Sequence, residues 1–564
     1  MVVILISWIY IAWCCVNLGV ALGKMLQLKV TDFALVTIIG LFTATLLGSF
    51  WAFFGGIGLY FHLPFLLLNG LLFGCYYHSI KNVYSQLVIE FKQLSVTLKI
   101  LFGAITFLIL AQCASFPFII DNESYYVQTI KWINEYGFVK GLSNLHLFFG
   151  QTSGWHIAQS VFNFSFIYNR FNDLNGLLLV LFHLFCFRKL HLYFQHRQQL
   201  DLVFGLLPIA NVFFFQFVSS PSPDLAVYLL SLLLFSLWID HYKTMTVETF
   251  KLVLIISLFL IYIKITAVVV LIFPFVLVFT HFSTLKPALK TASILSLLVL
   301  GLFVSKNIVL TGYPLFPLTI LSFPLDYTLP KEVMTYFFGT AMQNKFYIQE
   351  VFEDIYILNK LKHYFLFNGI DGMLNFTTLL TVIFSPIIIY RKYNKTSVWV
   401  LYGVFLLLIV LLLSNSLQYR FYIHFTIFFL IVGLSLFLVT KKSIYIGLST
   451  SCILTAILVF IPLSFGGLTA NTLLGTNSTF GIKNFIYPNP NSKWNLKFVT
   501  ETKGNLHYNS PKKTDFFLAT GNGALPCVNK EQLDYFETNF HYVPQLRTNN
   551  LKDGFYPKKI KPHE

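Results

Sequence analysis

The sequence is poor in charge. Only 11% of its 564 residues are Asp, Glu, Lys or Arg, against 56% hydrophobic residues. With a mean hydropathy of +0.71, that scarcity excludes an ordinary soluble protein and leaves an all-α polytopic membrane protein. Cysteine patterning is absent as well. Cys14, Cys15, Cys75, Cys113, Cys186, Cys452 and Cys527 form no CxxC pair, and all but Cys527 lie in or beside apolar runs. They encode neither a disulfide framework nor a metal-ligand set, and no HExxH spacing points to zinc. No basic stretch precedes the first apolar run, so we expect no cleaved signal peptide and a first helix that stays. There is no internal repeat.

What the chain has is long apolar runs with Tyr and Trp at many of their ends, where amphipathic rings suit the headgroup region. We read about fourteen membrane segments, at 1–22, 33–53, 57–75, 98–120, 174–188, 202–218, 225–239, 251–263, 265–281, 291–310, 373–390, 397–414, 421–439 and 443–462. The net charge of +16 is read as orientation, with no nucleic-acid partner. Basic residues fall on alternate connections: Lys24 and Lys29; Lys81 and Lys92; Arg188, Lys189 and Arg197; Lys243 and Lys251; Lys286 and Lys290; Arg391, Lys392 and Lys395; Lys441 and Lys442. These are expected to be cytoplasmic, which places both termini outside. Lys264 and Arg420 are the exceptions among the short connections on the other side.

Four external pieces follow: a loop from Asp121 to Asp173, a tip at Ser219–Asp224, a loop from Thr311 to about Asp371, and a tail from about Ser464. The tail is polar, with Pro, Asn and Gly turns, and is expected to form a small external domain containing some strand. The chain divides into extra N-terminal helices (1–97), a core (98–310), an external loop with C-terminal helices (311–462) and the tail (463–564). One run is too short for its task. Residues 252–281 span roughly 45 Å as helix at about 1.5 Å per residue, whereas two crossings need about 60 Å. A short hairpin with Lys264 at its tip is expected, at the floor of an externally open cavity.

The candidate chemistry starts at Asp121 and Glu123, where an apolar run ends. Asp121 is read as a general base that takes a proton from an attacking hydroxyl, with Glu123 assisting; the bland alternative for Asp121 is a helix N-cap. Lys264 and Arg420 offer an ammonium and a bidentate fork to one phosphate, against snorkelling or interface anchoring. Asp224 reads as an N-cap or as a second carboxylate that orients an acceptor. His146 and His156 could bind a sugar hydroxyl or phosphate, and Trp155 could stack on a sugar ring, although hydrogen-bonded loop histidines are commoner. Thr311-Gly-Tyr-Pro-Leu-Phe-Pro317 is a rigid turn whose Tyr313 could wall a cavity.

The order of these features resembles the C-type fold (GT-C) glycosyltransferases, and large multi-pass membrane proteins of Bacteroidota in particular. The shared features are an acidic motif after a cytoplasm-to-outside helix, a long first external loop, short hairpins, a membrane lysine in Ile263-Lys-Ile-Thr266, and the Thr311–Pro317 turn. The resemblance spans about residues 98–440; three extra N-terminal helices and the tail depart from it. It implies transfer of a sugar from a polyprenyl phosphate carrier to a glycan, lipid or protein acceptor at the periplasmic face of a bacterial inner membrane. Asp121 is then the base, and the donor is a substrate, with no cofactor or metal required. The rival readings are a lipid-linked oligosaccharide flippase or other transporter, and a polysaccharide polymerase.

Overall fold

The computed structural model describes residues 1–167, 174–338, 369–413, 418–463, 480–512, 514 and 516–560. Parts of three expected external pieces, at 168–173, 339–368 and 464–479, lie outside the described residues.

Among the described residues, nine helices are long and apolar enough to cross a membrane. They include α1 (Val2–Met25), α2 (Phe33–Ala52), α5 (Val96–Ala114), α8 (Leu174–His196), α11 (Pro223–His241) and the run Phe282–Thr311 that contains α15 (Leu289–Thr311). A tenth arises if α3 (Leu59–Cys75) and α4 (Tyr77–Gln93) count as one span, but they bend by 86° at Tyr76. The other four segments read as crossings are Val247–Ile263, Ile265–Thr280, Thr396–Leu412 and Ile423–Leu434, each of at most 17 residues. At about 1.5 Å per residue, 17 residues reach roughly 25 Å, short of a full hydrocarbon core.

Small residues set the N-terminal packing. Gly19 of α1 lies against the Val36 carbonyl, and Gly40 of α2 against the Cys15 backbone, so a Cβ at either position would collide with main chain. This is the close approach that small residues permit between apolar helices.

Two local departures shape the site. The first concerns the run expected as a helix over 98–120. It stops at Ala114, and Ser115 is extended. Pro117 lacks an N–H, and its ring disfavours helix at Phe116. Asp121 therefore lies beyond a short non-helical link and not in the first turn past the helix. It is not an N-cap either: its backbone is helical (φ −59°, ψ −24°), its side chain caps nothing, and a π turn over Asn122–Tyr126 leads into α6 (Val127–Glu135). π turns recur at functional sites. The second departure is the hairpin at Lys264. Helix α12 (Val247–Ile263) ends there, Lys264 is extended (φ −152°, ψ 122°), and a 3-10 segment, Ile265–Leu271, packs back along α12 before α13 (Ile272–Thr280).

The tail contains two antiparallel hairpins, β1 (Phe498–Lys503) with β2 (Leu506–Pro511) and β3 (Tyr542–Leu546) with β4 (Phe555–Lys559), and the helix Lys530–Phe540 between them. It docks on the 114–140 stretch through both side chains and backbone. The amides of Thr520 and Gly521 donate to the Glu123 carbonyl at 2.9 and 2.8 Å, that of Asn489 to Ala114 at 2.8 Å, and that of Phe555 to Lys140 at 2.9 Å.

Candidate functional site

Asp121 and Arg420, 299 residues apart, form an ion pair with Nη1 to Oδ2 at 2.6 Å. The guanidinium also donates from Nε to Gln418 Oε1 at 2.6 Å. Its backbone carbonyl accepts from Tyr228 Oη at 2.7 Å. Arg420 belongs to a short 3-10 turn, Tyr419–Phe421, at the entrance of the Ile423–Leu434 helix. On the acid side, Tyr126 Oη donates to the same Asp121 oxygen at 3.4 Å.

Lys264 and Asp224 form a second pair. Asp224 does not cap α11. Ser222 does, accepting the Asp224 amide at 3.3 Å, with Pro223 in the first turn. Ser at the N-cap and Pro just inside are the residues favoured there, which releases the Asp224 side chain for Lys264. Its other oxygen, Oδ2, is buried with no hydrogen-bond partner among the described residues. Phe421 joins the two pairs: the Lys264 ammonium lies 4.5 Å, and the Arg420 guanidinium carbon 5.4 Å, from its ring centroid. Side-chain exposure is graded, from 2% at Asp224 to 22% at Lys264, 18% at Asp121 and 30% at Arg420, so one end is sealed and the other reachable.

Asn175 builds the walls of this site. Its amide donates to the carbonyls of Phe217 at 2.9 Å, Ser220 at 2.8 Å and Ser222 at 3.1 Å, and so fixes the tip that carries Asp224. Its oxygen accepts the Trp155 indole N–H at 2.5 Å. Trp155 is fully buried, so it is a scaffold residue and not a platform for a sugar ring.

Lys306 of α15 was passed over in the sequence although the rule that singled out Lys264, an ionisable residue inside an apolar run, applies to it equally. It is buried and donates to the Thr152 carbonyl, with the Phe303 and Tyr262 ring centroids at 5.3 and 5.8 Å. No carboxylate among the described residues pairs with it. His156 is nearby, and its electrostatics register both Lys306 and Lys264. Burial first, then those two cations, pushes the imidazole down to about 3, so it is neutral. Its Nδ1 accepts the Ser153 amide at 3.3 Å, while its buried Nε2 has no partner among the described residues.

The remaining candidates stand apart. His146 is a buried structural residue whose Nδ1 accepts the Phe148 amide at 3.2 Å and whose Nε2 faces the Leu518 carbonyl of the tail at 3.4 Å. Burial lowers it to about 4. Tyr313 is buried with Leu147, Phe316, Val333 and Met334, and donates to the Leu329 carbonyl at 3.1 Å. Glu123 points away from Asp121 into the tail. It accepts from Ser492 Oγ at 2.5 Å, the Lys493 amide at 2.8 Å and Asn122 Nδ2 at 3.1 Å. It is a clasp for the tail, so no free oxygen remains to assist a base.

The clasp makes a pH prediction. Burial raises the Glu123 carboxyl above its ordinary value of 4.5, with the Ser492, Lys493 and Asn122 bonds opposing. A carboxyl raised on folding contributes stability that is complete below pH 4.5 and is lost as pH rises through the folded value. Tail docking, read by limited proteolysis across that interval, should therefore loosen as pH rises. Glu123→Gln should flatten the dependence, and an unchanged profile in that variant would exclude Glu123 as its source.

Among the described residues, no group of three or more His, Cys, Asp or Glu side chains is placed to hold a metal ion. The long apolar helices define a helical membrane protein that carries a cluster of two ion pairs. The chain belongs to the family described as Domain of unknown function (DUF8201), whose model matches residues 1–427. That stretch contains Asp121, Asp224, Lys264, Lys306 and Arg420, while the tail that clasps Glu123 lies beyond it. No curated protein and no solved structure matches the chain.

Proposed function

We propose that the chain is a membrane glycosyltransferase with a GT-C-like core. It would move a sugar from a polyprenyl phosphate carrier to a glycan, lipid or protein acceptor on the periplasmic face of a bacterial inner membrane. The observation that carries this reading is the meeting of Asp121–Arg420 and Lys264–Asp224 around Phe421. Two carboxylates and two cations at one partly open site supply both a proton acceptor and a phosphate cradle. The alternation of basic connections fits fourteen segments with both termini outside, the shorter helices completing the core.

In the proposed reaction, an Asp121 oxygen takes the proton of the acceptor hydroxyl. The acceptor oxygen attacks the anomeric carbon, and the carbon–oxygen bond to the carrier phosphate breaks with its electron pair leaving on the phosphate oxygen. Lys264 and Arg420 stabilise that oxygen. Asp224 holds the Lys264 ammonium in place for that contact.

The test is transfer of a labelled sugar from synthetic polyprenyl phosphate donors by purified protein. A carrier that is bound or moved across vesicles with no transfer from any donor would sink the enzyme reading in favour of a transporter. Within that assay, Arg420→Gln should cut transfer by about one to two orders of magnitude, as expected for losing a hydrogen bond to a charged group. Arg420→Lys should recover only part of it, because an ammonium cannot replace the planar fork. Equal rates for all three proteins would remove the guanidinium from the mechanism.

A further inference from the structure

A cavity of about 230 Å³ opens between the end of α1, the turn into α2 and the first half of α4. It lies far from the ion-pair cluster. Its wall includes Val36, whereas α2 meets the cluster side at Ser49, where Tyr262 donates to the serine hydroxyl; thirteen residues of helix separate these by roughly 20 Å. One side of the cavity is polar, with Lys24, Lys29, Thr31, Ser79 and Asn82, and its floor is apolar. No carboxylate lines it. Asp32, next to Thr31, and Glu90 of α4 are both held by Arg188. Neither Lys24 nor Lys29 has a side-chain hydrogen bond or ion pair among the described residues, and both are exposed.

The helix that forms one wall adds a second, independent observation. α4 turns 86° from α3, so if α3 follows the membrane normal, α4 runs in the plane of the interface. Its buried residues, Ile80 and Val83, face the bundle, while Val88 and Ile89 are about half exposed. Amphipathic helices with lysines beside them sit at headgroup level, where anionic phosphate is abundant.

We propose that this cavity binds a phosphate anion, supplied at this position by the headgroup of an anionic phospholipid, with Lys24 and Lys29 as its cations and Thr31, Ser79 and Asn82 as its hydrogen-bonding wall. The anion is a structural ligand that fixes α4 against α1 and α2.

The test uses the full chain in dodecyl maltoside micelles, titrated with dioctanoyl phosphatidylglycerol, dioctanoyl phosphatidylcholine and inorganic phosphate, with the thermal unfolding midpoint as readout. Phosphatidylglycerol should raise the midpoint at concentrations where phosphatidylcholine does not. The double variant Lys24→Gln/Lys29→Gln should weaken that binding about twentyfold, since each lysine near an anionic surface is worth roughly fivefold. Lys81→Gln/Lys92→Gln removes the same charge from α4 outside the cavity and should leave binding within about twofold. If inorganic phosphate acts alone with the same dependence on Lys24 and Lys29, the site stands and its ligand is free phosphate. Equal weakening in both double variants, or none in the first, overturns the site.

Discussion

Asp224→Asn, with Lys264 retained, is expected to destabilise the protein by about 3–5 kcal/mol, the usual cost of leaving one member of a buried ion pair without its partner. Asp224 is 2% exposed, so water cannot replace it. Lys264 would keep the Phe421 ring, 4.5 Å away, and the weaker attraction of Asp121; a ring face supplies about 2 kcal/mol even when desolvated. Removing both charges in Asp224→Asn/Lys264→Met should recover most of the loss, because an uncharged pair has no desolvation to offset. Denaturation of the purified proteins in mixed micelles would read this directly. A single variant as stable as wild type would mean that Lys264 is solvated and that the pair does not hold the hairpin. The double variant also separates roles: it should fold yet bind a polyprenyl phosphate donor weakly, and undiminished affinity would remove Lys264 from the phosphate cradle.

Asp121→Asn is expected to reduce sugar transfer by about 10²–10⁴-fold, the range contributed by a positioned general base. The amide oxygen can still accept from Arg420, so the Asp121–Arg420 contact and the fold should survive while proton acceptance is lost. The decisive comparison is kcat against donor KM in the same preparation. A collapsed kcat with little change in KM identifies the base. Turnover at the wild-type rate would eliminate it.

Much of the site could be read before the fold was known, because charge in an apolar sequence is conspicuous. Asp121, Lys264 and Arg420 stand out against their surroundings, and the length deficit of 252–281 located the reversal at Lys264. The pairings could not be read. Asp121 meets Arg420 across 299 residues and Lys264 meets Asp224 across 40, and nothing local in either segment encodes its partner. Asp224 stood between a cap and a second carboxylate, and Ser222-Pro223 beside it takes the cap. Trp155 and Tyr313 looked available because aromatic loop residues suit both sugar stacking and core packing, and only burial separates the two. Lys306 was legible by a rule already in use and was missed. The π turn after Asp121 has no comparable sequence signal, and α4 was hidden by near-equal apolar and polar content, although Ile80, Val83, Leu87 and Phe91 repeat at helical spacing.

The long separation between Asp121 and Arg420 also sets an order of events during synthesis. At about 5–20 residues per second, the ribosome takes roughly 15–60 s to reach the arginine after the aspartate has emerged. The tail residues that enclose Glu123 come later still, at 492 and 520. The acids of the first loop are thus made early and stay without these partners until residues 420 to 521 have been synthesised. A nascent chain arrested before Arg420 would carry both acids without their partners.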